Sequence, residues 1–150
     1  MAIWVDLWNK FKFWSRSAKP IHLQRGDLGE RAAREHLQQL GLKFLTANFS
    51  CKEGEIDLIF RDETTAETCL VFVEVKTRTA GGWTRPGKAV DNRKRRALVR
   101  TANEYLRQLK HPHVAYRFDV VEVLLAFDQV IEIRHNSNSF NSQMLRRTRR

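Results

Sequence analysis

Val71-Phe72-Val73-Glu74-Val75-Lys76 is the stretch on which the reading of this chain turns. Successive side chains of an extended strand point to opposite faces, so Val71, Val73 and Val75 form one apolar face, while Phe72, Glu74 and Lys76 share the other. A row of β-branched residues is what a strand covered by a helix requires. The opposite face sets a carboxylate and an ammonium one pleat apart. Upstream, Glu55 to Arg61 reads as another strand, joined to the first through the polar stretch Asp62 to Thr68, and the two together read as a hairpin. Asp57 lies between Ile56 and Leu58, although Asp is depleted from strand interiors. A hairpin of suitable register sets it beside Glu74.

Two carboxylates crowded together raise one another's pKa and resist joint ionisation, so something positive must offset them. Asp57, Glu74 and the backbone carbonyl of Val75 make a hard-oxygen set suited to Mg²⁺ or Mn²⁺, a cation that also keeps waters and accepts a substrate oxygen. Lys76 is then placed to orient or deprotonate an attacking water and to stabilise charge on a phosphate, while the metal polarises the phosphoryl oxygen. The competing reading makes Glu74 and Lys76 a surface ion pair of little energetic worth. It leaves the mid-strand position of Asp57 unexplained.

Outward from this hairpin, Leu28, Ala32, Ala33, His36, Leu37 and Leu40 form the apolar stripe of a helix from Asp27 to Leu40, ended by Gly41. His36 on that stripe reads as a packing residue. Glu30 lies on its flank beside Leu37, where a carboxylate can look into a cleft and complete the metal shell. Leu42 to Phe49 reads as a further strand. Gly81, Gly82, Pro86 and Gly87 mark a loop, and a long helix follows from Asp91 to Leu109 with Leu98, Ala102, Tyr105, Leu106 and Leu109 inward. Strands from Tyr116 to Leu125 and Val130 to Arg134 complete the order α-β-β-β-α-β-β: an α/β domain with helices packed on a mixed central sheet. The domain spans 21–135. It is preceded by an extension, 1–20, whose Trp4, Trp8, Phe11 and Trp14 recur at helical spacing, and followed by a basic, Ser/Asn-rich tail, 136–150, that reads as disordered. The extension reads as packing on the domain or on a second copy, with adhesion to a membrane surface as the alternative.

The 150 residues, 42% of them hydrophobic with nine Phe and four Trp, suffice for one buried core. Against 17 acids stand 27 Lys and Arg, a formal charge of +10 that favours a polyanionic partner, nucleic acid above all. On the long helix Arg93, Arg96, Arg100, Asn103 and Arg107 follow helical spacing, with Lys94 beside them. Together with Arg78, Arg85 and Lys88 they form a stripe able to track a phosphate backbone. Trp83 is a candidate base-stacking residue. No base-reading motif appears, so binding should follow structure and salt more than sequence. Cys51 and Cys69 sit in no CxxC or Cys/His cluster, which argues against a zinc site or a disulfide framework and for a reducing, cytoplasmic setting. Charges at Asp6, Lys10, Lys12, Arg16 and Lys19 break up any spanning helix or signal segment, so no stable membrane insertion is expected.

Gly26-Asp27-Leu28-Gly29-Glu30, Gly54-Glu55-Ile56-Asp57-Leu58-Ile59 and Val71-Phe72-Val73-Glu74-Val75-Lys76-Thr77-Arg78 occur in that order. In these three stretches the chain resembles the YraN-like family of bacterial proteins, a likeness running from about Gly26 to Val123. Such proteins look like members of the restriction-endonuclease-like, PD-(D/E)xK superfamily, related to archaeal Holliday junction resolvases. The resemblance implies a restriction-endonuclease-like fold, a helix carboxylate at Glu30, metal-binding carboxylates at Asp57 and Glu74, and a catalytic lysine at Lys76. Asn48, Lys94, Arg117 and Asp119 fall where the family has recurrent polar residues. After Arg78 the chain departs from the family's aromatic-Gly-x-Pro turn, reading Gly82-Trp83-Thr84-Arg85-Pro86. The function so implied is Mg²⁺-dependent endonucleolytic hydrolysis of DNA, including branched, junction-like DNA. A homodimer would serve symmetric junction cleavage. The alternative is a nucleic-acid-binding or repair-scaffold protein that keeps the fold without the chemistry.

Overall fold

A computed structural model describes residues 21–81 and 91–140, and in it the alternation of residues 71–76 is realised. Helix α1 (Ile21–Gln39) leads to strands β1 (Lys43–Cys51), β2 (Gly54–Asp62) and β3 (Cys69–Thr79); helix α2 (Asn92–Gln108) precedes β4 (Ala115–Ala126) and β5 (Gln129–Phe140). The order is the α-β-β-β-α-β-β expected from the sequence. The five strands lie side by side as β1-β2-β3-β4-β5, antiparallel except for the parallel pair β3 and β4. A parallel neighbour cannot be reached through a tight hairpin, and α2 provides the crossover.

Each helix covers one face of this mixed sheet. Ala33 and Leu37 of α1 pack on Leu58, Phe60, Val71, Val73, Val121, Val123 and Leu125. Leu98, Ala102, Tyr105 and Leu106 of α2 pack on Ile56, Ile59, Phe72, Phe118 and Phe140. Phe72 therefore faces α2, and Val71 and Val73 face α1, as strict alternation demands. Each fully buried large apolar side chain stabilises the fold by about 1.5–3 kcal/mol. Among the described residues no helix is long and apolar enough to cross a membrane.

Helix ends follow local chemistry. At the end of α1, Gly41 adopts φ 91°, Leu42 N–H donates to the Leu37 carbonyl (3.1 Å), and Gly41 N–H donates to that of Gln38 (3.0 Å). This paired closure is the Schellman arrangement, which favours glycine because a Cβ resists positive φ. Asp91 caps α2, its carboxylate accepting from Lys94 N–H at 2.9 Å.

Three expectations need correction. Helix α1 begins at Ile21 rather than Asp27. Leu40, expected on the apolar stripe, lies past the last turn and is 50% exposed. The tail expected from Asn136 instead starts as strand: β5 continues to Phe140, which is 1% exposed and stacked on Phe118 with ring centroids 4.7 Å apart. Polar side chains did not stop the strand because Asn136 and Phe140 still pair with β4, the Asn138 N–H is taken by Asp119, and an aromatic ring anchors the end. The Trp-rich extension, the loop bearing Trp83, Arg85 and Lys88, and the tail beyond Phe140 lie outside the described residues.

Candidate metal and phosphodiester site

The site arises where two strands part. The β2–β3 ladder runs from Asp62 opposite Cys69 to Leu58 opposite Val73 and stops there, just before Asp57 and Glu74. Beyond that point Val75 N–H donates to Asp57 Oδ2 at 2.7 Å, so a carboxylate takes the place of a strand partner. The same position disturbs β1 and β2. Ala47 pairs with Leu58 and Phe49 with Ile56, yet the first pair packs under α1 and the second under α2. Residues two apart in a regular strand share a face. The faces therefore exchange across Asn48 and Asp57, and Asn48 takes φ 53° to do so. This exchange turns Asp57 toward the main chain of β3, between Glu74 and Lys76.

Glu74 faces α2 and is nearly enclosed, with 12% of its side chain exposed; Lys94 Nζ lies 3.2 Å from its Oε1. Its Oε2 is buried and has no hydrogen-bond partner among the described residues. Burial raises the Glu74 pKa, the charge of Asp57 raises it further, and Lys94 opposes both. Asp57 is likewise raised by burial, against the pull of Val75 N–H and Lys94. Glu30 approaches from α1. Its pKa is pushed up to about 7, by burial first and then by Asp57, while a hydrogen bond with Asn48 works the other way. Gly29 explains how α1 comes so near: a Cβ there would lie 1.9 Å from Thr77 Oγ1, so only glycine lets the helix press on β3 at this point.

Lys76 sits beyond Glu74 on the same strand. Burial lowers its pKa; Glu122 raises it, and Arg78 and Arg95 lower it again. Glu122 is the neighbour of Lys76 in the β3–β4 register and is only 5% exposed.

Glu30, Asp57, Glu74 and Lys76 are thus gathered around one parting of strands, with Val75 bonded to Asp57. The three carboxylates do not close into a cage: among the described residues no three His, Cys, Asp or Glu side chains stand close enough to hold a metal unaided. The basic stripe divides. Lys94 is bound to Glu74, Arg100 to Glu53 at 2.9 Å and Arg107 to Glu104 at 2.6 Å. Arg93 and Arg96 are exposed at the end of α2 nearer Lys94, and Arg96 Nε donates to the Asn92 carbonyl at 3.1 Å. Sequence reasoning missed the pairing of Lys94 with Glu74, and it missed Glu122 and Arg95 altogether. A signal for Glu122 existed, since it interrupts the run Val120-Val121-Glu122-Val123-Leu124 much as Asp57 interrupts its own strand.

Arg117 and Asp119 belong to a separate brace. Asp119, wholly buried, accepts from Arg117 Nε (3.0 Å) and Asn138 N–H (2.8 Å) and pairs with His135 Nε2 (2.8 Å), while Arg117 also reaches Asp62 at 2.7 Å. His36 packs edge-on to His135 with centroids 6.2 Å apart, the packing role expected of it. Cys51 and Cys69 are free thiols.

A family model matches residues 29–123, a span from Gly29 to just past Glu122 that holds the whole site; it is described as uncharacterised protein family UPF0102. The chain belongs to UPF0102. It is 39% identical over 116 residues to a UPF0102 protein of Caldicellulosiruptor saccharolyticus, covering 77% of this chain and 95% of that one. A UPF0102 protein of Pseudomonas fluorescens is 39% identical over 122 residues, covering 81% and 96%. One of Alkalilimnicola ehrlichii is 43% identical over 106 residues, covering 70% and 81%. The matches cover 95%, 96% and 81% of these relatives' own lengths.

Proposed function

We propose that the chain is a divalent-cation-dependent DNA endonuclease that hydrolyses phosphodiester bonds, with branched DNA as its preferred class. One observation carries the reading: a buried carboxylate oxygen of Glu74 has no hydrogen-bond partner among the described residues, beside Asp57, itself a carboxylate turned into a gap between strands. Such an arrangement disfavours ionisation unless a cation is present. The donor set fits a hard divalent ion, Mg²⁺ or Mn²⁺, held by Asp57, Glu74 and the Val75 carbonyl with Glu30 nearby, and that ion would polarise a phosphoryl oxygen of the substrate. The chain's own groups do the remaining work. Lys76, its pKa lowered by burial, orients a water and donates to charge developing on the phosphate. Glu122 neighbours Lys76 on the adjacent strand, and its charge favours the ammonium form. Exposed Arg93 and Arg96, close in sequence to Lys94 on α2, offer phosphate contacts, which suits a polyanion without base readout.

A second reading, a nucleic-acid-binding protein without catalysis, is favoured by the Lys94–Glu74 ion pair, which supplies a counter-charge without metal. Cleavage of labelled four-way junction, flap and linear duplex in Mg²⁺ or Mn²⁺ separates the two. Hydrolysis should vanish in Glu74→Ala and Lys76→Ala, and calorimetric Mn²⁺ binding should be lost in Asp57→Asn. Hydrolysis that survives both substitutions removes the mechanism, and DNA binding indifferent to metal and to Asp57→Asn selects the second reading. Symmetric junction cutting further requires two copies of the site, so sedimentation with and without a junction should reveal a dimer.

A further inference from the structure

We propose that Arg95 binds a second phosphate of the substrate, on the far side of Lys76 from the carboxylates. The inference rests on the reading of the partner as nucleic acid, and not on hydrolysis. Arg95 is the fourth residue of α2 and half-buried; its Nε is enclosed and has no hydrogen-bond partner among the described residues. An enclosed donor without an acceptor is unfavourable and points to a missing one. The guanidinium lies 5.4 Å over the ring of Phe140, which is itself stacked on Phe118 at 4.7 Å, so an aromatic pair favours this placement of the group.

Its surroundings specify the ligand's charge. Lys94, one residue earlier, acts on Asp57 and Glu74, whereas Arg95 acts on Lys76, as does Arg78. Cations at 76, 78 and 95 therefore crowd one stretch of the sheet's α2 face. The nearby carboxylates are committed elsewhere: Glu74 takes Lys94, and Glu122 lies beside Lys76 in the ladder. Among the described residues Arg95 enters no ion pair. Its planar, permanently charged fork matches a phosphate's paired oxygens, and the adjacent N-terminus of α2 adds positive potential. Arg95 is a binding and positioning residue rather than a catalytic one: it would fix the strand's register so that the phosphate beside Lys76 is the one presented to Asp57 and Glu74.

The test measures binding of a fluorescent four-way junction and a linear duplex to the full chain in Ca²⁺, across about 50–200 mM salt, for the wild type, Arg95→Met and Arg95→Lys. Methionine keeps the packing on Phe140 without charge, and circular dichroism checks that each variant is folded. Loss of one phosphate contact should reduce the slope of log K against log salt by about 0.9, so the wild type's advantage over Arg95→Met should shrink about 3.5-fold across that fourfold salt range. Arg95→Lys should keep the slope. An Arg95→Met slope equal to wild type overturns the inference even if cleavage is intact, and a wild type that binds neither DNA overturns it together with the nucleic-acid reading. A slope change in a chain that never cleaves supports it while refuting the nuclease.

Discussion

Replacing Glu30 by Gln should stabilise the protein above neutral pH and leave it unchanged in mild acid. The folded chain holds the Glu30 proton until about pH 7 because the carboxyl is half-enclosed and faces Asp57, whereas an ordinary glutamate releases it near 4.5. In that interval the folded state binds more protons than the unfolded one, so stability is present below pH 4.5 and is lost as pH rises toward 7. At about 1.4 kcal/mol per pH unit, the displacement from 4.5 to about 7 bounds the penalty at roughly 3.5 kcal/mol. Water reaches part of the side chain, and screening brings the expected gain to about 1–2 kcal/mol. Glutamine keeps an acceptor for Asn48 and removes only the charge. Urea unfolding at intervals from about pH 4.5 to 8 reads the result: the difference between variant and wild type should grow across this window and then level off. Asp57 and Glu74, whose pKa values are also raised, contribute slopes of the same sign in both proteins, and of these only the part coupled to Glu30, through Asp57, enters the difference. Since Asp57 is the second cause of the Glu30 displacement, the gain should be smaller in an Asp57→Asn background. Curves for wild type and Glu30→Gln that stay parallel throughout would refute the reasoning.

Gly29→Ala would set a methyl 1.9 Å from Thr77 Oγ1 and 3.0 Å from its Cβ, so α1 must shift off β3; a loss of about 1–3 kcal/mol is expected in urea melts, partly recovered in the Gly29→Ala, Thr77→Ala double variant. Asp119→Ala would strand His135 and the Asn138 N–H and leave Arg117 with Asp62 alone, costing about 3–5 kcal/mol by thermal or urea unfolding. Burial alone would raise the Asp119 pKa, but its hydrogen bonds with His135, the Asn138 N–H and Arg117 outweigh burial and lower it, so the stability it contributes is present above the ordinary aspartate range and is lost as pH falls through the lowered value.

Much of the fold was legible because its periodicities are local. Helix α2 shows its start at Asp91 and its inward stripe from Leu98 to Leu106 in the sequence, and both are found in place, with Asp91 serving as the cap. The polar run from Asn136 to Ser139 was misread for the opposite reason. Asn and Ser disfavour strands on average, and what holds them here is non-local: the Asn138 N–H is bonded to Asp119, nineteen positions back in sequence, and Phe140 stacks on Phe118. Lys94 read as one cation among several on an exposed face, since nothing in Asn92-Arg93-Lys94-Arg95-Arg96 distinguishes which side chain turns to Glu74 and which to Phe140.

By itself the sequence determined the order of elements, the two faces of β3 and the pairing of Glu74 with Lys76 on one of them, because a two-residue repeat leaves a strand no choice of side. Only the tertiary structure decided that β2 leaves β3 at Asp57, that the faces exchange there through Asn48, and that Glu122 and Arg95 arrive beside Lys76. Those outcomes depend on which backbone groups find partners across strands and on how closely Gly29 lets α1 approach, and neither is written in any single stretch of residues.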